Sequence, residues 1–239
     1  MADLHDVWVY LAASPLLHLT LTLLAFQAGN WLYRKAGFNP LLNPVLVAVV
    51  ILIAILVGTG TRYQTYFEGA QFVHFMLGPA TVALAIPLYR QFEHVRRSAV
   101  AVIASLLAGS VTAAASAVAI AWALGAGRIS VISIAPKSVT APVAMAIVRQ
   151  LGGLPSLTAV LVILTGIFGA TAGPLLLDLL RVRDWEARGL AIGTASHGIG
   201  TARALQVSEV AGAFSGLAMG LNALATAILL PVAWKLLVG

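Results

Sequence analysis

Residues Ile129 to Arg149 read ISVISIAPKSVTAPVAMAIVR, an apolar, membrane-length run broken by two prolines and a lysine. Proline removes a backbone donor and pushes the preceding residue out of the helical region, so Ala135-Pro136 and Ala141-Pro142 bracket a non-helical Lys137-Ser138-Val139-Thr140. In lipid, unpaired backbone is tolerated only where protein or a watery cavity surrounds it. A lysine at that depth costs about 2.5 to 3.5 kcal/mol on insertion scales and marks a functional site by default. The segment therefore reads as a discontinuous helix lining a solute site.

Composition agrees with a bilayer setting. The 239-residue chain is 60% hydrophobic and 9% charged, against roughly 45 to 50% and 25% in soluble domains. No polar block is long enough to fold separately, so a single transmembrane domain over residues 1–239 is expected. Asp3 and Asp6 near the N-terminus argue for a first span rather than a cleaved signal peptide. The formal charge of +6 comes from short basic clusters between apolar runs, a matter of topology and not of nucleic acid. The chain has no cysteine, which excludes disulfides, iron-sulfur clusters held by cysteine and thiolate zinc sites. No cofactor or metal site is expected, and neither a dinucleotide fingerprint, a nucleophile elbow nor a His-Glu zinc pattern points to an enzyme.

In chain order, Val7 to Tyr33 reads as the first span, with Arg34 and Lys35 placing its end in the cytoplasm. Asn39 and Asn43 sit beside Pro40 and Pro44 at the start of a second span, Leu46 to Val57, as caps or as polar contributions to a cavity. Gly58 to Ala70 reads as a polar, aromatic loop. Gln71 to Tyr89 contains a second candidate break, Leu77-Gly78-Pro79-Ala80-Thr81, and Arg90, Arg96 and Arg97 mark the cytoplasmic side again. Ser98 to Leu124, rich in Ala, Ser and Gly, suits close helix packing. Ser156 to Leu180 and Gly212 to Val238 are further spans. Between them, Leu190 to Val207 is interrupted by Gly193, Gly198 and Gly200 and carries Ser196, His197, Thr201 and Arg203. The loop at 181–189 falls outside if Ile129 to Arg149 crosses, and inside if that segment re-enters and returns.

The expected fold is all-α: a polytopic membrane protein of six to eight transmembrane or re-entrant helices with broken helices, arranged as an inverted repeat. Gly78 to Ala85 can be laid over Gly198 to Leu205, and Gly78-Pro79 equally over Ala135-Pro136. Paired interrupted segments are the usual pointer to a transporter's binding site.

The stretches NPLLNP, YFEGAQFVHFMLGPATVALAIPLY, APKSVTAPVAM, ASHGIGTARA and SGLAMGLN, in that order from about Asn39 onward, resemble the LrgB/CidB family of bacterial membrane proteins. The resemblance implies either a holin/antiholin-like modulator of murein hydrolase export and autolysis, working with a small LrgA/CidA-like partner, or a carrier related to the plant plastidial glycolate/glycerate translocator and to pyruvate uptake systems. It also implies a multi-pass protein of the bacterial inner membrane.

Together these readings favour a secondary transporter of small monocarboxylates. Lys137 is a point charge for a carboxylate, with Ser138 and Thr140 as hydrogen-bonding neighbours. The competing reading has Lys137 snorkelling or pairing with Glu68. Arg203 offers a planar fork to the same carboxylate, or else a structural pair with Glu209. His197 is either a proton-coupling group or a structural histidine. Ser196, Thr201, Asn43 and Thr81 complete the candidate set. A homo-oligomer, taken as a dimer, is expected.

Overall fold

Long apolar runs in this chain have no way to satisfy their backbone in lipid except as helices, and a computed structural model, which describes residues 15–38, 42–76, 79, 82–83 and 85–238, is all-α across them, with no strand. The chain divides into two compact units, Met1–Ala83 and Leu84–Gly239.

In the first unit, α1 (Pro15–Lys35), α2 (Pro44–Thr59) and α3 (Tyr63–Phe75) pack together, α1 against both others. Pro44 opens α2 where its missing donor is harmless, and Asn43 Oδ1 accepts from the amides of Val45 and Leu46 at 2.9 and 3.4 Å. Gly60, at φ 66°, closes the helix. The loop expected over Gly58 to Ala70 is instead helical from Tyr63 onward. Its polar composition hid a packing face: Gly69 lies against Pro15 and His18, and the Tyr66 ring meets the His18 ring edge-on at 5.8 Å while its hydroxyl bonds Thr22 at 2.9 Å. Leu77, Gly78, Ala80 and Thr81 of the second candidate break lie outside the described residues, as do Asn39 and the whole of the first span before Pro15.

The second unit holds α4 (Ala85–Arg90), α5 (Phe92–Arg97), α6 (Ala99–Ala123), α7 (Arg128–Ile134), α8 (Ala141–Leu151), α9 (Pro155–Leu179), α10 (Trp185–Val207) and α11 (Glu209–Val238). Of these, α6, α9 and α11 are long and apolar enough to cross a membrane. At about 1.5 Å per residue each exceeds the roughly 30 Å hydrocarbon core. The shorter elements are half-length, and their contacts show why.

α10 enters and turns back. Gly189 and Gly193 abut the backbone of Ala211 and Ser215, so the first arm runs parallel to α11. After His197 the order reverses: Thr201 bonds Ser215, and Leu205 packs on Gly212. The reversal occurs at His197, whose φ of 42° and ψ of −137° interrupt the helix. Neither arm approaches the roughly 20 residues needed to span. α7 and α8 form the matching element. Ser133, in α7, receives the amide of Leu154 at 2.9 Å and offers its carbonyl to Thr158 Oγ1 at 2.9 Å, while Gly153, just after α8, sits against Ile132 and Ser133. The chain thus returns beside its starting point, and Ile129 to Arg149 is re-entrant rather than a crossing.

Consequently the loop at 181–189 lies on the face that carries Arg90 to Arg97. Ser98 at the start of α6 bonds Glu186 at 3.1 Å, and Arg90 pairs with Glu209 at 3.2 Å. Span α6 followed by the α7–α8 hairpin, then span α9 followed by the α10 hairpin, repeat one motif with opposite orientation. The repeat seen here pairs the segment at Pro136 with the one at His197; the overlay of Gly78 to Ala85 falls largely outside the described residues.

Candidate functional site

Both hairpin tips reach the middle of the unit and meet there. The first tip is Ala135 to Thr140, closed by backbone bonds from Lys137 to Ile134 and from Val139 to Pro136 at 3.0 and 3.2 Å. The second is centred on His197. Asn222, near the midpoint of α11, ties them: its Nδ2 donates to the carbonyl of Ser138 at 3.2 Å and to that of Thr194 at 3.0 Å. Carbonyls only accept, so the orientation of this amide is fixed by its partners. Val162 of α9 is the second shared point. Its side chain packs with Val139 and Ala144, and its carbonyl faces His197 Nε2 at 2.9 Å.

Four backbone carbonyls, one carboxamide and several hydroxyls thus converge at mid-depth. Leaving any of these buried groups unpaired costs about 1 to 3 kcal/mol. Beyond Asn222, Thr226 donates weakly to Asn222 Oδ1 at 3.5 Å and shares a 3.2 Å contact with Ser110 of α6. The polar chain therefore links α6, both tips and α11.

Of the residues predicted from sequence, Ser138, Thr140 and Lys137 occupy the first tip. Lys137 is half-buried, and its ammonium donates to Ser138 Oγ at 3.3 Å. No carboxylate among the described residues of this unit pairs with it, and Glu68 belongs to the first unit. An ammonium has three donors, so Lys137 retains capacity for an anion. Thr140 precedes α8 and makes no side-chain capping bond, leaving its hydroxyl beside the positive end of that helix.

At the second tip, Ser196 and His197 are buried. Because its partner is a carbonyl, His197 Nε2 carries the proton and Nδ1 is the remaining basic position. Glycines make the tip's burial feasible: a Cβ at Gly166 would meet the His197 ring, and one at Gly169 would run into Ser196. Thr201 Oγ1 donates to the His197 carbonyl and contacts Ser215 Oγ, both at 2.9 Å, so its hydroxyl braces the turn. Arg203 is directed elsewhere. Its guanidinium donates to Gln206 at 3.2 Å near the exposed end of the second arm, and Glu209 pairs with Arg90 instead. Asn43 caps α2 in the first unit, and Thr81 lies outside the described residues.

Asn222 was not among the expected site residues. Its signal was present, since it is the one carboxamide in the last span and closes the motif SGLAMGLN. A cleft of about 360 Å³ between α6 and the first arm of α10 is lined by Ser105, Gly109 and, next to the second tip, Thr194 and Ala195.

Comparison with known proteins gives a consistent picture. The sequence model of the LrgB-like family matches residues 22–236. The chain is 37% identical over 212 residues to uncharacterized protein YxaC of Bacillus subtilis (strain 168), covering 89% of this chain and 92% of that one. It is 33% identical over 217 residues to holin-like protein CidB of Staphylococcus aureus (strain Mu50), covering 91% and 94%, and 32% identical over 216 residues to the CidB of Staphylococcus epidermidis (strain ATCC 12228), covering 90% and 94%. No solved structure matches.

Proposed function

The chain belongs to the LrgB-like family, and on that premise we propose that it is a secondary transporter of small monocarboxylates of the glycolate, glycerate, pyruvate or lactate class. The observation that carries this reading is the meeting of two oppositely oriented re-entrant hairpins at one carboxamide, Asn222. Discontinuous helices meeting at mid-membrane are how many carriers build a solute site. A lysine half-buried at such a junction is costly to keep in a purely structural assembly.

In the proposed mechanism Lys137 holds the carboxylate, with Ser138 and Thr140 beside it, and Ser196 and His197 line the opposite tip. Movement of one tip against the other opens the junction to alternate faces. His197 Nδ1 is the proposed site of proton uptake when transport is driven by proton symport. Arg203 takes no direct part in this version, because it lies toward the exposed end of the second arm, about two turns from the tip, with Gln206 as its neighbour.

A second reading is favoured by the staphylococcal relatives, whose names are holin-like protein CidB. On it the chain is a holin-like protein of the bacterial inner membrane that affects murein hydrolase export and autolysis, as a homo-oligomer or with a small LrgA/CidA-like partner. Uptake of labelled pyruvate and glycolate into proteoliposomes holding only this chain separates the two. The carrier predicts saturable uptake that Lys137→Ala abolishes and an imposed pH gradient accelerates. Non-saturating leak of both acids and of a neutral dye, unchanged in the variant, would establish the holin-like reading instead.

A further inference from the structure

On the side of the second unit opposite Arg90 to Arg97 lies a cavity of about 720 Å³, bounded by α6, the start of α7 and the C-terminal half of α11. It falls within the roughly 300 to 1,000 Å³ range of small-molecule sites. Its walls are almost wholly aliphatic: Val111, Val118, Leu229 and Leu230 are among them. Polar groups occur only at the two ends. At mid-depth are Ser110 and Thr226, already bonded to each other. At the membrane surface are Trp122, Trp234 and the exposed Arg128.

This distribution suits one kind of molecule. From Ser110 to Trp122 the groove follows about 18 Å of helix at 1.5 Å per residue, close to the depth of one leaflet's hydrocarbon, roughly half of 30 Å. Two tryptophans at its mouth sit where interfacial aromatics sit in bilayers. Arg128 has no acidic partner among the described residues, so the mouth carries an uncompensated positive charge. A small hydrophilic acid gains nothing from aliphatic walls of this length. We infer that the groove is a binding site for a single anionic phospholipid, its phosphate on Arg128 and one acyl chain laid between α6 and α11 down to Ser110 and Thr226.

The inner end of that chain would touch the hydrogen-bonded series from Ser110 through Thr226 to Asn222, which ties the hairpin tips. The lipid site itself does not depend on the transport reading.

The five tryptophans of the chain make a direct test available. With Trp8, Trp31 and Trp185 replaced by Phe, fluorescence reports Trp122 and Trp234 alone. The protein is reconstituted in phosphatidylcholine vesicles, and chain-brominated phosphatidylglycerol or phosphatidylcholine is titrated in. Brominated phosphatidylglycerol is expected to quench with an apparent affinity about fivefold higher, the scale of one basic side chain near an anionic headgroup. Arg128→Gln, at an exposed position, should remove that preference, and Ala114→Phe, which fills the groove, should reduce quenching by both lipids. Equal quenching by the two lipids, or a preference that survives Arg128→Gln, would overturn the inference. So would failure of either lipid to quench together with efficient crosslinking of two chains through this face, which would make a second copy the occupant.

Discussion

The two hairpins do the same job with different chemistry. The first break is favoured locally: Pro136 and Pro142, either side of the tip, each lack the backbone donor that a continuous helix would use there. The second contains no proline, and its helical hydrogen bonding is interrupted at one residue, His197, held at φ 42°. A non-glycine residue in so sparsely populated a region costs on the order of 1 to 3 kcal/mol and persists only when its surroundings over-determine it. Those surroundings are visible: the Val162 carbonyl on the ring, Thr201 on the His197 carbonyl, and Gly166, Gly169 and Gly193 giving room for close approach. One break is thus local in origin and the other tertiary. The tertiary one is the better candidate for a moving part, because its bend depends on contacts that can be exchanged, whereas the first is biased toward a break by its own prolines.

Removing the joint between them should have the largest effect. Asn222→Ala leaves the carbonyls of Ser138 and Thr194 without their buried donor, and a loss of about 2 kcal/mol or more is expected from the usual cost of such orphaned groups. Thermal unfolding in detergent measures it, and a shift of the midpoint by less than a degree would mean that the hairpins stand independently. Lys137→Gln attacks only the first tip. Substrate affinity should fall about 10- to 100-fold, the scale of a charge-assisted hydrogen bond, while the unfolding midpoint stays nearly unchanged. A variant with wild-type affinity would remove Lys137 from the site.

Gly193→Ala tests the tertiary break. The new Cβ would meet the backbone of Ser215, and overpacking of this kind typically costs about 1 to 3 kcal/mol. Unfolding in detergent should show that loss, and a stability equal to wild type would mean the first arm is not packed on α11 as described. The smallest effect is expected for Pro142→Ala. Thr140 already leaves the helix at ψ 146°, so the tip should keep its shape and stability should change by less than about 1 kcal/mol. A large loss there would show that the first break is also held in tension by its surroundings.

The same contrast explains what could be read in advance. Helical membrane class followed from composition, and the first break from two prolines and a lysine, all local signals. The segment around His197 was legible as interrupted from its glycines, but its reversal rests on Ala211 and Ser215, distant in sequence. Tyr63 to Ala70 looked like a loop because its packing face is made by Tyr66 and Gly69 against α1, and polarity alone does not reveal that. Asn222 was overlooked for a related reason. A single amide in an apolar span says that some partner exists, and only the fold says that there are two and that they belong to opposite hairpins. The repeat unit stayed open in the sequence because short Gly-Pro matches are too common to fix it.

The central claim, that two half-length hairpins enter from opposite faces, is open to one direct measurement because the chain lacks cysteine. Single cysteines at Gly127 and Leu154 flank the first hairpin, and others at Arg183 and Val207 flank the second. Labelling with a membrane-impermeant maleimide, in intact cells and in inverted vesicles, gives the side of each. The structure predicts that 127 and 154 react from one side and that 183 and 207 react together from the other. Reaction of 127 and 154 from opposite sides would make Ile129 to Arg149 a crossing segment, and the meeting of two tips at Asn222 would be wrong.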